Sequence, residues 1–373
     1  MTQANIAGTH TQLVVTAGMH GNEPGGIQAL ERVFARLREG DIALHGELIG
    51  YLGNRTAVAA KSRYMHEDFN RIWLADRVEA LIALDSATAN GSAELNTEEQ
   101  ELIELLEALN EAFARTSGPK YFMDIHSSSA DGVPFAMALD TSAHRDFAEQ
   151  FEVPILLGIL EQLDGCLLEY VERNDVTTIG FEGGQHDAPS TVDNSEAAIW
   201  LALAASGIVD SDCAEVQRSR QLLAQAAGSL PQFTEIRYRH AIEPEDRFRM
   251  LPGFESFEKV KKSQAIAEDR NGPVTVRETG RLLLPLYQGL GDDGFFIGRE
   301  LTAFRRTLAD GLRSLGIDRL LPLIPGVRRA NGTNNTLHVN LRAARYLPRS
   351  LFYRLGYRHI RRQERGWHLR KTH

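Results

Sequence analysis

The chain has 373 residues, 43% of them apolar and 24% charged, which is enough for one large domain or two modest ones and excludes disorder as its main state. No apolar run approaches the roughly 18–20 residues needed to span a bilayer, so the sequence predicts a soluble globular protein. Two cysteines, Cys166 and Cys213, exclude a disulfide framework, and the opening MTQANIAGTHTQ has neither the basic nor the apolar part of a secretory signal; the expected setting is a reducing cytoplasm.

The net charge of −9 is unevenly spread. From Arg299 to His373 there are 17 Lys/Arg against 4 Asp/Glu, a surplus of 13, so the preceding residues carry a net −22. A basic segment on an acidic body either contacts something anionic or folds onto the body's own acidic face, and the second reading is preferred.

In chain order, QLVVTAG (12–18) reads as a strand ending in Gly. From Gly25 the apolar positions Ile27, Leu30, Phe34 and Leu37 recur at helical spacing, with Pro24 where a first helical turn tolerates it. ELIGYLGN (47–54) is a second strand. Thr97 to Arg115 is a helix with Glu98, Glu99 and Glu101 near its positive end and Leu102, Leu105, Leu106 and Leu109 on one face. YFMDIH (121–126), PFAMALD (134–140), VPILLGIL (153–160) and VTTIGFEGG (176–184) are further strands, with a short helix near 165–173 and a helix over Ser195–Ser206. Short, nearly all-apolar strands separated by amphipathic helices predict an α/β fold: a mixed, largely parallel sheet with helices on both faces, ligands collecting at the strands' carboxyl ends.

After about Gln225, TEIRYRHAI (234–242), AIAED (265–269), VTVRE (274–278), LLLPLY (282–287) and FFIGRE (295–300) are short stretches bounded by Pro, Gly and Asp, the texture of a small β domain. The last seventy residues, with LRSLGIDRLLPLIPGVRR and LRAARYLPRSLFYRLGYRHIRR, read as helical and amphipathic, interrupted by Pro322, Pro325 and Pro348. The expected divisions are 1–224 as a catalytic α/β domain, 225–300 as the small β domain and 301–373 as a basic C-terminal extension.

GMHGNEPGG, directly after the first strand, carries His20 and Glu23 three apart. Imidazole and carboxylate are both zinc ligands, and a tight Gly-rich loop can bring two such side chains around one ion. A second pair of the same spacing, His240 and Glu243, lies in a polar alternating strand followed by Pro244 and is read as structural; position, not spacing, singles out the first. His126 directly follows the apolar strand YFMDIH and is the candidate third ligand, with Asp124 two residues back as acceptor for a ligand's imidazole N–H. Two imidazoles and one carboxylate leave a zinc position open, as a catalytic site requires.

Glu182, in IGFEGGQHDAP, also follows an apolar strand and is flanked by Gly180, Gly183 and Gly184. A partly desolvated carboxylate beside the metal is a candidate general base toward water and then acid toward a leaving amine. SRYMHEDFNRIW supplies Arg63 and, eight residues on, Arg71 beside Asn70, a bidentate fork and a neutral donor suited to an anionic substrate.

Taken in order, HGNE, the NR pair near position 70, DIH and the Glu-Gly-Gly strand end, followed by a β domain, resemble the succinylglutamate desuccinylase and aspartoacylase family, a branch of the zinc carboxypeptidase-like fold. The resemblance covers roughly residues 10–300. It implies a zinc-dependent amidohydrolase acting on linear amides, namely small anionic N-acyl amino acids, with one Zn2+ per chain on His20, Glu23 and His126. It implies Glu182 as general base and acid, Arg63 as stabiliser of the oxyanion, and Asn70 with Arg71 as the grip on a substrate carboxylate. Tyr287, in PLYQG, is assigned to the mouth of the site. Asn54 and Arg55 resemble the family's asparagine-centred turn and receive no catalytic role. Tyr170 and Arg173 stand near the place of a further Tyr and Arg pair of aspartoacylases, without a matching spacing.

Two other readings are carried. One is a zinc carboxypeptidase acting on a peptide or peptide tag. The other is a non-catalytic ligand-binding or scaffold protein docking on nucleic acid, an anionic membrane surface or a partner through the basic tail, where Phe352, Tyr353, Tyr357 and Trp367 interleave with arginines. Homo-oligomer formation, the acyl group and the amino acid are left open by the sequence.

Overall fold

The computed structural model describes residues 8–88, 95–160, 162–301, 317–329, 336–340, 352, 357–363 and 366–371. The chain divides into two compact units, one of Met1–Ala138 with Ala143–Glu300 and one of Leu139–Ser142 with Leu301–His373.

The larger unit runs β1 (Thr11–Ala17), α1 (Gly25–Leu37), β2 (Gly46–Leu52), α2 (Arg55–Ala60), α3 (Ala75–Thr88), α4 (Thr97–Ala114), β3 (Lys120–Ser128), β4 (Phe135–Ala138), α5 (Ser142–Ala148), β5 (Ile155–Leu157), α6 (Leu167–Glu172), β6 (Thr177–Gln185), α7 (Pro189–Ala205) and α8 (Ala214–Ala227). It continues through β7 (Phe233–Ala241), β8 (Arg249–Met250), β9 (Lys259–Val260), β10 (Ala265–Asp269), β11 (Gly272–Thr275), β12 (Gly280–Leu283) and β13 (Asp293–Glu300). Its ten-stranded sheet has the order β2-β1-β3-β6-β4-β5-β7-β13-β12-β9. The pairs β1–β2, β1–β3, β3–β6, β4–β5 and β5–β7 are parallel, and β4–β6 is antiparallel. This is the mixed, mostly parallel sheet with helices that the pattern of apolar runs predicts. Strands such as β1 and β3 are buried almost along their whole length, as a sheet covered by helices demands.

Local signals set the element ends. Asn54 caps α2 by accepting from Ala57 N at 3.1 Å, which accounts for its place in the sequence without any catalytic role. Asn96 and Glu99 form a reciprocal capping box on α4. The short α2, α3 and α8 are helices the sequence reading does not anticipate. α8 is a polar helix that buries Val216 and Leu223.

Hydrogen bonding runs across residue 225 without a break. β7 pairs in parallel with β5, and β13, β12 and β9 then extend the same sheet antiparallel. β11, β10 and β8 form a separate three-stranded sheet, with a core of Met250, Val260, Ile266, Val276, Leu282, Phe295 and Ile297. The segment between β12 and β13 is the one that reaches the site.

The smaller unit corrects the expectation of a helical tail. Its described residues form β14 (Val327–Arg329), β15 (Thr336–Asn340), β16 (Tyr357–Gln363) and β17 (Gly366–Lys371), a four-stranded antiparallel sheet in the order β14-β15-β17-β16, preceded by a 3-10 turn at Ile317–Leu323. The reason is a period of two. Leu337 and Val339 alternate with polar neighbours and pack with Val327, Tyr357, Leu369, Leu321 and Phe352. Pro322 and Pro325 interrupt the described part of the preceding stretch, Ile317–Leu323 and beyond, and residues 302–316 lie outside the described residues. Most of 341–356, also read as helical, lies outside the described residues. Among the described residues no helix is long and apolar enough to cross a membrane.

Candidate active site

Three chain segments bring the site together at the carboxyl ends of β1, β3 and β6. The loop after β1 carries His20 and Glu23. A Cβ on Gly21 would lie 2.0 Å from the Ala57 carbonyl carbon and 2.4 Å from Ser62 O, so only glycine lets this loop press against α2. Gly21 N also donates to Arg63 O at 3.2 Å, which ties the His20 loop to the loop of Arg63. His126 ends the apolar part of β3, and Glu182 is its register partner on β6.

His20, Glu23, His126 and Glu182 are 4, 3, 6 and 7% exposed. Glu23 bridges the two imidazoles: Oε1 is 2.8 Å from His20 Nδ1 and Oε2 is 3.0 Å from His126 Nδ1. Oε2 also accepts from Ser127 N at 3.0 Å. Ligand-capable atoms of the three residues all lie within 4.8 Å of one another. The opposite ring nitrogens are held by carboxylates, His20 Nε2 3.0 Å from Asp68 Oδ1 and His126 Nε2 2.9 Å from Asp124 Oδ2. Asp124 also accepts from Thr16 Oγ1 at 2.7 Å.

Each imidazole therefore faces a carboxylate at both nitrogens, yet a neutral ring has one N–H to donate. A divalent cation held by His20, Glu23 and His126 would resolve this, leaving each ring neutral with one N–H for a neighbouring carboxylate. The donor set fits such an ion. In the protein alone, burial opposes charge on these groups and their mutual attraction outweighs it: His126 is raised well above the ordinary imidazole range by Asp124 and Glu23, and Glu23 is lowered well below the carboxylate range by His20 and His126.

Glu182 behaves in the opposite way. Burial pushes its pKa up to about 7 against the pull of His126, and its Oε2 has no hydrogen-bond partner among the described residues. Arg63 Nη2 donates to Asp68 Oδ2 at 2.9 Å, and its Nη1 lies 3.6 Å from Glu23 Oε1. His20, Glu23, Arg63, His126 and Glu182 line one cleft, whose apolar wall includes Ile159, Leu160, Leu163, Leu284 and Leu286.

Asn70 and Arg71 also line this cleft, but both are engaged. Asn70 Oδ1 accepts from Leu167 N at 2.9 Å, and its Nδ2 lies 3.2 Å from His126 Nε2. Arg71 donates through Nη1 to Asn70 O at 2.8 Å and through Nη2 to Asp293 Oδ2 at 3.1 Å; Asp293 is also paired with Arg239. Cys166, against Arg71, is pushed up to about 12 by burial and is no nucleophile.

Tyr287 is not brought to the cleft. It is 38% exposed, its hydroxyl donates to Leu251 O at 2.8 Å and accepts from Phe254 N at 3.0 Å, and its neighbours Leu286 and Gln288 line the cleft instead. Tyr170 and Arg173 do not line it either; Tyr170 lies against Trp73, and Arg173 pairs with Glu169. His240 stacks on Phe295 at 4.8 Å, in keeping with its structural reading.

Sequence reasoning misses Asp68, Ser127, His186, Gln288 and Asp293. Asp68 lies in the polar run HEDFN, where nothing local announces a partner 48 positions away. His186, four residues beyond Glu182, is 2.8 Å from Ser127 Oγ through Nδ1; its place beside the Glu-Gly-Gly turn is the signal that could have drawn attention to it.

The profile of the succinylglutamate desuccinylase/aspartoacylase catalytic domain matches residues 9–190, which contain all four of His20, Glu23, His126 and Glu182. Over this segment, just under half of the chain, the sequence is similar to the succinylglutamate desuccinylase/aspartoacylase family. A succinylglutamate desuccinylase of Photorhabdus laumondii is 29% identical over 147 residues, covering 37% of this chain and 40% of that protein. The chain thus spans well under half the length of that relative. Two solved structures share the fold: a succinylglutamate desuccinylase/aspartoacylase from Rhodobacter sphaeroides (TM-score 0.57, 17% identity, 79% of this chain and 88% of that one) and the ectoine utilization protein EutE (DoeB) from Ruegeria pomeroyi (TM-score 0.57, 19% identity, 80% and 87%).

Proposed function

We propose that this chain is a member of the succinylglutamate desuccinylase/aspartoacylase family and a cytoplasmic zinc-dependent amidohydrolase that removes the acyl group from small N-acyl amino acids. The observation that carries the reading is the convergence of His20, Glu23 and His126 on one point, with the buried carboxylate of Glu182 on the neighbouring strand. The family's relatives by sequence, named as succinylglutamate desuccinylases, support the substrate class. Residues 1–224 would hold the reacting groups, and 225–300 would narrow the cleft against larger substrates.

When bound to His20, Glu23 and His126, zinc would supply Lewis acidity, polarising the carbonyl and lowering the pKa of water toward about 7. The chain's own groups do the rest. Glu182 takes the proton of the attacking water at Oε2 and passes it to the departing amine. A pKa near neutrality suits a group that must accept and release one proton in a cycle. Arg63, held by Asp68, donates to the carbonyl oxygen as negative charge develops there. Asn70 and Arg71 line the wall on which a substrate carboxylate would be held, and Arg71 keeps a buried Nε–H that has no acceptor among the described residues.

The test is hydrolysis by the zinc-loaded protein of a panel of N-acyl amino acids beside short peptides. Release of acid from the acyl amino acids is the expected result. Cleavage of peptides alone would favour the carboxypeptidase reading, and no cleavage of either would remove both.

A further inference from the structure

The segment between β12 and β13 is pinned at several points. Leu284 N donates to Ser256 Oγ at 3.0 Å, Leu286 N to Gly294 O at 2.9 Å, and Tyr287 N to Ser129 Oγ at 2.9 Å. It presents Gln288 to the cleft. The Gln288 Oε1 accepts from Asn22 Nδ2 at 2.8 Å and lies 3.2 Å from His186 Nε2. His186 is itself held at both nitrogens, with Ser127 Oγ 2.8 Å from Nδ1 and Gln288 Oε1 3.2 Å from Nε2; a ring that donates through Nε2 to Gln288 accepts from Ser127 through Nδ1. Asn22 and Ser127 are the direct neighbours of Glu23 and His126.

The Asn22 amide donates to Gln288 Oε1 and His186 Nε2 lies beside the same oxygen, which turns the glutamine amide with its oxygen toward these two residues. The group Gln288 has left to offer is Nε2, with two N–H donors and no acceptor among the described residues. A side chain already held in one orientation loses little freedom on meeting a ligand. The arginines of this cleft pair their Nη2 atoms with carboxylates, Arg63 with Asp68 and Arg71 with Asp293, and each keeps a buried Nε–H without an acceptor among the described residues. We infer that Gln288 is a specificity-determining residue, donating through Nε2 to a carboxylate oxygen of the substrate, with His186 and Asn22 as the residues that position it. The inference rests on the proposed deacylation and adds to it a neutral donor supplied from outside residues 9–190. The oxygen belongs either to the acyl chain or to the amino-acid part, and the chemistry that recognises it is the same.

The experiment uses zinc-loaded wild type, Gln288→Ala and Gln288→Glu on N-succinyl-L-alanine, N-butanoyl-L-alanine, which lacks the acyl carboxylate, and N-ethylsuccinamic acid, which lacks the amino-acid carboxylate. A glutamate keeps the acceptor for Asn22 and His186 but has no N–H to donate. Both variants should raise KM for N-succinyl-L-alanine by about tenfold, the scale of a lost hydrogen bond to a charged oxygen, with kcat and zinc content nearly unchanged. The loss should vanish on the one truncated compound that lacks the oxygen Gln288 holds. A wild-type KM in Gln288→Glu, or an equal loss on all three compounds, would overturn the assignment and leave Gln288 a structural acceptor. If wild type turns over the panel and neither variant differs from it, the assignment alone falls. If wild type neither binds nor cleaves any of the three, the proposed function falls and the assignment with it.

Discussion

His126 and Glu182 are register partners on adjacent parallel strands, β3 and β6. Backbone pairing alone therefore holds the candidate metal ligand beside the candidate base. The two side chains nevertheless have opposite electrostatics, because His126 is surrounded by carboxylates while Glu182 is buried with one oxygen unpartnered.

Replacing Glu182 with Gln keeps shape and burial but removes the base. The expected loss in kcat is about a hundred- to ten-thousandfold, with zinc content unchanged. Retained activity in the zinc-loaded variant would exclude Glu182 from proton transfer.

The sign of the pH effect follows from the same group. Burial raises Glu182 to about 7, so it is protonated and inactive as a base below that value and ionised above it, and a nearby cation draws the midpoint lower. The profile of kcat/KM should thus rise with pH along an acid limb at or below about 7. A profile flat from pH 5 to 8 would contradict this.

Zinc uptake should release protons. His126 is raised well above its usual range by Asp124 and Glu23, and a ligand imidazole must give up its Nδ1 proton. Calorimetry of zinc binding in two buffers of different ionisation enthalpy should show net proton release and an affinity that falls as pH falls. Binding without proton release would count against His126 as a ligand.

Asp68 serves two site residues at once, His20 through Oδ1 and Arg63 through Oδ2. Asp68→Asn should weaken zinc binding by roughly ten- to a hundredfold and also lower kcat through Arg63, without unfolding the chain. Gly21→Ala places a methyl against the Ala57 carbonyl, and a loss of stability on the order of 1–3 kcal/mol is expected, read as a lower Tm.

Much of this site is legible in the sequence. His20, Glu23, His126 and Glu182 each stand just after an apolar strand or in the glycine-rich turn that follows one, and a largely parallel sheet gathers such positions at one edge. Asp68 is not legible, because the imidazole it holds lies 48 positions away, and neither are Gln288 and Asp293, whose places are set by the register of β7, β13 and β12 rather than by any local motif. In the irregular segment after β12 the sequence does not tell which side chain faces the cleft: the Tyr287 hydroxyl is engaged with Leu251 and Phe254, and Gln288 lines the cleft. The C-terminal strands are misread for a different reason. Arg-rich amphipathic stretches satisfy a helical period as well as a period of two, and only the burial of Leu337, Val339 and Leu369 decides between them.

Metal analysis of the purified protein beside its His126→Ala variant tests the central claim most directly. About one zinc per chain in the parent, lost in a variant that stays folded by circular dichroism, is the predicted result. A folded parent that neither contains nor takes up zinc would contradict the account.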